Sequence, residues 1–212
     1  MVSRVQFPLP LQHKGPLVRC SAGQRAFSFY RKSTHLAYLA RFLDPVTHLP
    51  FVNADIIAAE GWPDAPSAHA YAASRAAAEE RAHRTAARES FITETVFSRP
   101  SKLDLVDDAI ARGYLVHLHV ILLPVDVAVS RVSERVRHGG HDVPEQKIRE
   151  RYARLWDLIP KARARAHRTE FFDNSTAVEP FRRVAGYGHG HGHGLLVGEP
   201  AWPAWAPAAL TA

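Results

Sequence analysis

Four groups of residues in this chain have the types and spacing to handle a phosphoryl group. Lys32-Ser33-Thr34 matches the end of the phosphate-binding pattern G-x-x-x-x-G-K-[ST]. Its two glycine positions, however, hold Ala26 and Arg31. At a helix start, free backbone N–H groups and the positive end of the helix dipole attract phosphate. Lys32 would reach terminal phosphates there, with Thr34 beside it, and the Ser33 hydroxyl would ligate Mg²⁺. Asp55 and Glu94 are the second and third groups, each read as closing a strand. A carboxylate so placed can take a proton from a substrate hydroxyl or hold a metal-bound water. The fourth is "RVSERVRHGGHDVPEQKIRERYARL", residues 131–155, with arginines on both sides of Gly139-Gly140. A hinged pair of arginine-bearing helices can close over a phosphoryl group and neutralise its charge. Each group also has a plain structural reading. These are a polar helix start, a helix cap for Asp55, a solvated loop for Glu94, and two surface helices joined by a turn.

The elements that would position these groups alternate. Leu17–Cys20 reads as a short strand and Ser33–Leu43 as a helix with Leu36, Leu39, Ala40 and Leu43 on one face. "LPFVNAD" is a second apolar run, and Ser67–Arg88 is an alanine-rich helix with Ser67 as N-cap. Residues 90–96 read as a strand, 101–112 as a helix stopped by Gly113, and 114–124 as a central strand, apolar on both faces. Asp126 caps a helix to about His138. Pro144 opens another, with Ile148, Tyr152, Leu155 and Ile159 as its stripe. Residues 169–175 read as a strand and 181–187 as an edge strand. This order predicts an α/β fold of three layers, a parallel sheet with helices on both faces. Ligands then bind beyond the carboxyl ends of the strands. Residues 22–34, Asn53–Asp55, Glu94–Thr95, Pro124 and Asp173–Asn174 should therefore converge.

The length, 212 residues, suits one domain with short appendages. The expected boundaries are an irregular leader at 1–15, the domain at 16–187, a helical lid at about 131–160 and a tail at 188–212. A 46% apolar content supports a core without cross-links, and the single cysteine, Cys20, points to a reducing cytoplasm. Residues 1–19 lack a continuous apolar segment, and Val116–Val129 is too short and polar to span a bilayer. The net charge of +6 is carried mainly by arginines, whose planar fork suits phosphate. Interleaved exposed aromatics and a recognised nucleic-acid module are missing, which argues against nucleic acid as the partner. The tail carries "GHGHGHG", whose His189, His191 and His193 lack a carboxylate or cysteine to complete a structural metal site. Trp202 and Trp205 are expected to pack back onto the domain.

Taken together, "FVNADIIAAE", "SFITETVFSRPSK", "GYLVHLHVILLP", "RVSERVRHGGHDVPEQKIRERY" and "FFDNS" resemble the zeta-toxin-like P-loop kinases. The likeness runs in order over residues 16–185, and the block built on Gly139, Gly140, Pro144, Ile148, Arg151 and Tyr152 is its most specific part. The resemblance implies a P-loop nucleoside-kinase-like fold with a helical lid. It implies transfer of a phosphoryl group from ATP, with Mg²⁺, to the sugar 3′-hydroxyl of UDP-N-acetylglucosamine or a related sugar nucleotide, and an antitoxin protein as partner. It makes Asp55 the base, Asn53, Glu94 and Thr95 the acceptor-binding residues, and Arg135 and Arg151 the lid arginines, with Arg131, Arg137 and Arg149 as rivals. Lys32, Ser33 and Thr34 would bind ATP, Ser33 also holding Mg²⁺.

One departure bears on activity. Where the family leads one to expect a sequence such as "AGPNGAGKST", this chain has "SAGQRAFSFYRKST", with no glycine among residues 24–31. Glycines permit φ > 0 and leave room for phosphate oxygens against the backbone. Either the loop is degenerate and ATP binding weakened, or it is a variant in which Arg31 supplies the missing positive charge. The corresponding functional alternatives are a phosphotransferase of reduced power and a non-catalytic nucleotide-binding or regulatory protein of the same fold.

Overall fold

The computed structural model describes residues 49–137, 143–188 and 195–211, and the backbone of residues 3–7. Its strands are β1 (Ser3–Phe7), β2 (Phe51–Val52), β3 (Phe91–Thr95), β4 (His117–Leu122), β5 (Arg168–Asp173), β6 (Arg182–Gly188) and β7 (Leu195–Leu196). The α-helices are α1 (Ala54–Gly61), α2 (Ala70–Ala87), α3 (Ser101–Ala111), α4 (Val125–Arg137), α5 (Glu145–Arg165) and α6 (Ala208–Thr211).

The strands form one sheet in the order β2-β3-β1-β4-β5-β6-β7. β2 pairs parallel to β3, and β4 parallel to β5. β1 lies between β3 and β4, antiparallel to both, so β2, β3, β4 and β5 all run the same way. The expected all-parallel sheet is thus mixed. A parallel return needs a crossover of a dozen or more residues. Residues 174–181 separate β5 from β6, and residues 189–194 separate β6 from β7. Both spans are too short, so each strand comes back antiparallel. β6 is not the edge, because β7 pairs with it. The leader, expected to be irregular, contributes β1. Its sequence SRVQF alternates polar and apolar from Arg4 to Phe7, and Pro8 follows immediately. The expected strand at Leu17–Cys20 and helix at Ser33–Leu43 lie outside the described residues.

Alternate residues of the central strands enter two separate clusters, as the period of two requires. Phe91, Leu118, Val120, Leu122 and Phe171 join the larger cluster, with Ala77 of α2, Val106 and Ala109 of α3, and Leu155, Ile159 and Ala162 of α5. Ile92, Ile121 and Phe172 join the smaller one, to which no described helix contributes. Trp202 and Trp205 pack against the larger cluster, as expected. Trp202 meets Phe171 edge-on at 5.0 Å, and Leu210 of α6 is fully buried. No described helix is long and apolar enough to cross a membrane.

α2 differs from its expected start. Pro66 opens a 3₁₀ turn at Pro66–His69, which absorbs Ser67, and no side chain caps α2. Its other end is fixed from outside. The buried Tyr114 hydroxyl lies 3.1 Å, 3.3 Å and 3.2 Å from the carbonyl oxygens of Arg84, Thr85 and Glu89. A phenol has one proton to donate, so these acceptors share it. Tyr114→Phe is expected to cost about 1–2 kcal/mol of unfolding free energy. The check is a lower urea midpoint at unchanged slope.

Candidate active site

β2 ends at Val52, and Asn53 takes the N-cap of α1. Its Oδ1 accepts from the backbone N–H groups of Asp55 (2.7 Å) and Ile56 (3.1 Å). Its Nδ2 donates to Glu94 Oε2 at 2.6 Å. One buried amide thereby ties the helix carrying Asp55 to the strand carrying Glu94. Asp55 does not close a strand, nor does it cap the helix. It sits in the first turn of α1, exposed, where the positive end of the helix dipole favours a carboxylate. Glu94 stands next to last in β3, at the strand end as expected.

These residues line a cavity of about 550 Å³, a size that takes a small-molecule ligand. Asn53, Asp55, Glu94 and Thr95 share its wall with Tyr71, Arg81, Arg99, Lys102 and Arg151. Four cationic side chains thus face two carboxylates, a surplus that suits an anionic ligand. Arg81 is only 7% exposed, and burial lowers its pKa. The Lys102 pKa is also lowered, by burial first and then by the Arg81 and Arg99 charges.

The arginines expected in a lid separate by what they touch. Arg151, on α5, lines the cavity, whereas Arg135, exposed on α4, does not. Arg131 donates to the Asn174 carbonyl at 2.8 Å, and Arg137 pairs with Glu134. Arg149 bridges Asp126 of α4 (2.8 Å) and Glu145 of α5 (2.7 Å), and these hydrogen bonds raise its pKa. Arg149 therefore staples the helical pair. Exposed pairs of this kind contribute little to stability individually.

Convergence at the strand ends is partial. Asn53, Asp55, Glu94 and Thr95 come together, but Pro124, Asp173 and Asn174 are not among the cavity residues. Asp173 and Asn174 are held elsewhere, where the Asn174 N–H donates to the Leu122 carbonyl (3.0 Å) and Asp173 pairs with Arg182 (3.2 Å). Lys32, Ser33, Thr34, Gly139, Gly140 and the tail histidines His189, His191 and His193 lie outside the described residues. Among the described residues, no group of three or more His, Cys, Asp or Glu side chains gathers as a metal site.

Sequence reasoning missed Arg81 and Lys102. A signal was present for the first. The buried positions of α2 are Ala73, Ala77, Arg81 and Thr85, at steps of four. A charged residue on the inward stripe of a helix needs a reason to be there. Lys102, one residue into α3, carries no comparable mark.

Comparison with family models matches residues 53–183 to the zeta toxin family. The match begins at Asn53, takes in every described residue of the cavity wall, and covers well over half of the chain. Comparison with curated proteins and with solved structures gives no match.

Proposed function

Because the chain belongs to the zeta toxin family, a family of P-loop, nucleotide-binding, kinase-like proteins, we propose that it transfers a phosphoryl group from ATP to a hydroxyl of a sugar nucleotide such as UDP-N-acetylglucosamine. The observation that carries this reading is the cavity. An exposed carboxylate on a helix N-terminus shares its wall with four cations, of which only Arg151 comes from the α4–α5 pair. Asp55 takes the proton of the attacking hydroxyl. Glu94 and Thr95 hold the acceptor, while Asn53 fixes Asp55 and Glu94 relative to each other. Arg151 meets phosphate from α5, and Arg135 joins it when the helical lid, residues 131–160, closes. A third layer of helices completes the fold.

The described residues fit a phosphorylated ligand through Arg81, Arg99, Lys102 and Arg151. A Mg²⁺ ion carried on phosphates asks for only one or two protein ligands, and Ser33 is the residue the sequence offers. When bound, ATP supplies the phosphoryl group and Mg²⁺ offsets its charge. The glycine-free stretch at residues 24–31 leads us to place ATP affinity below that of a glycine-lined loop. That stretch also favours a second reading, a protein that retains the acceptor cavity and transfers nothing. Labelled ATP, with and without UDP-N-acetylglucosamine, separates the two. Label appearing on the sugar establishes the transferase. Acceptor binding with no label transferred over many hours establishes the non-catalytic protein.

A further inference from the structure

Arg81 carries five N–H donors on its guanidinium. It uses one for a long contact, 3.4 Å to the Thr93 hydroxyl, and makes no ion pair among the described residues. Yet it is more than nine-tenths buried. Lys102, half-buried beside it, likewise has no acidic partner among the described residues. The charges that act on Lys102 are the cations Arg81 and Arg99, and they repel its proton. Burying cations without a counter-ion is costly, and a fold tolerates it where a ligand brings the missing charge. The place is specific. Thr93 passes its own proton to the Val52 carbonyl at 2.9 Å, so the Arg81 head contacts the β2–β3 pair one residue before Asn53 and Glu94. Arg81, Ser101 and Lys102 also line a second cavity of about 310 Å³, so they form a partition between the two spaces.

We propose that Arg81 and Lys102 form the cradle for the acceptor's diphosphate, on the wall that the two cavities share. The inference rests on the acceptor being a nucleoside-diphosphate sugar, as proposed above, and assigns the residues that select it. Arg81 offers a planar fork to two phosphate oxygens and Lys102 a point charge to the neighbouring group. The phosphates of ATP are the competing source of the same chemistry.

The test is calorimetric titration of the full-length chain with UDP, uridine, inorganic pyrophosphate and ATP·Mg²⁺, before and after Arg81→Met and Lys102→Met. Each variant is expected to weaken UDP and pyrophosphate by about tenfold or more while leaving ATP·Mg²⁺ unchanged. Uridine is expected to bind the parent far more weakly than UDP. A structural role is separated by melting. Replacing an unpaired buried cation with an apolar side chain should leave the ligand-free Tm unchanged or raise it. Lys102→Met, at the less buried position, keeps the test decisive should Arg81→Met not fold, and Arg81→Lys should recover part of the UDP affinity. UDP binding equally well to both Met variants, or a loss confined to ATP·Mg²⁺, overturns the cradle. So does a parent that binds neither UDP nor pyrophosphate. Cradle-dependent UDP binding without phosphoryl transfer leaves this inference standing and removes the catalytic reading.

Discussion

Asp55→Asn is expected to slow phosphoryl transfer by about 10³-fold while acceptor affinity changes by no more than about twofold. The exchange alters almost nothing but charge. Asp55 is exposed, and among the described residues its carboxylate makes no ion pair or side-chain hydrogen bond. Its backbone N–H donates to Asn53, and an asparagine would keep that bond. The structural loss is confined to the helix dipole, about 0.3–1 kcal/mol for an exposed carboxylate in a first turn. A large fall in rate with a fall in Tm of no more than a few degrees therefore reports the proton transfer itself. Single-turnover transfer from labelled ATP to UDP-N-acetylglucosamine gives the rate, and titration with UDP-N-acetylglucosamine gives the affinity. Glu94→Gln should show the opposite pattern, with affinity falling more than rate. If Asp55→Asn transfers as fast as the parent, the hydroxyl loses its proton elsewhere and Asp55 is a surface residue.

The parts of this fold that are legible in sequence carry strong local patterns. The near-continuous apolar run of β4 and the long stripe of α5 are seen close to where they are expected, because burial on one or both faces dictates their composition, and the Gly113 stop after α3 is seen because its positive φ favours glycine. Strand direction is less local. That β1 runs against its neighbours depends on which strands flank it, and SRVQF contains nothing that names them. The site divides along the same line. Asn53, Asp55 and Glu94 occur in motif blocks and meet in space. The offset that puts Asp55 in the first turn rather than at the strand end follows from β2 stopping three residues early, a boundary that apolar composition does not set. Arg81 reads as a surface residue in an alanine-rich helix until one knows that the stripe at steps of four faces inward. The arginines expected in a lid needed contacts to be told apart, since five similar residues lie within residues 131–151 and the structure puts Arg149 in ion pairs and Arg151 on the cavity wall.

The bracket at Asn53 makes a sharper test of the site, because two substitutions dissect it. Asn53→Ala removes both the cap and the tie to Glu94. It should cost about 1–2 kcal/mol of stability and lower transfer by about 10²-fold as Asp55 and Glu94 lose their fixed relation. Asn53→Asp keeps the cap, since aspartate accepts from the Asp55 and Ile56 N–H groups as well as asparagine does. It also sets a second carboxylate against Glu94, where Nδ2 now donates at 2.6 Å. Two carboxylates at that distance cannot both stay ionised without penalty, so the folded variant holds a proton between them that the unfolded chain releases. The sign of the pH dependence follows. Where the folded state binds more protons than the unfolded state, stability falls as pH rises. Asn53→Asp should therefore be least stable, relative to the parent, at neutral pH and above, and should recover as pH falls toward the ordinary carboxylate range. Asn53→Ala should show a constant deficit over the same interval. Urea unfolding of the parent and both variants across that interval reads the difference. If the two variants lose stability in parallel at every pH, the amide serves α1 alone, and the link between the proposed base and the acceptor-binding carboxylate is not what holds them in place.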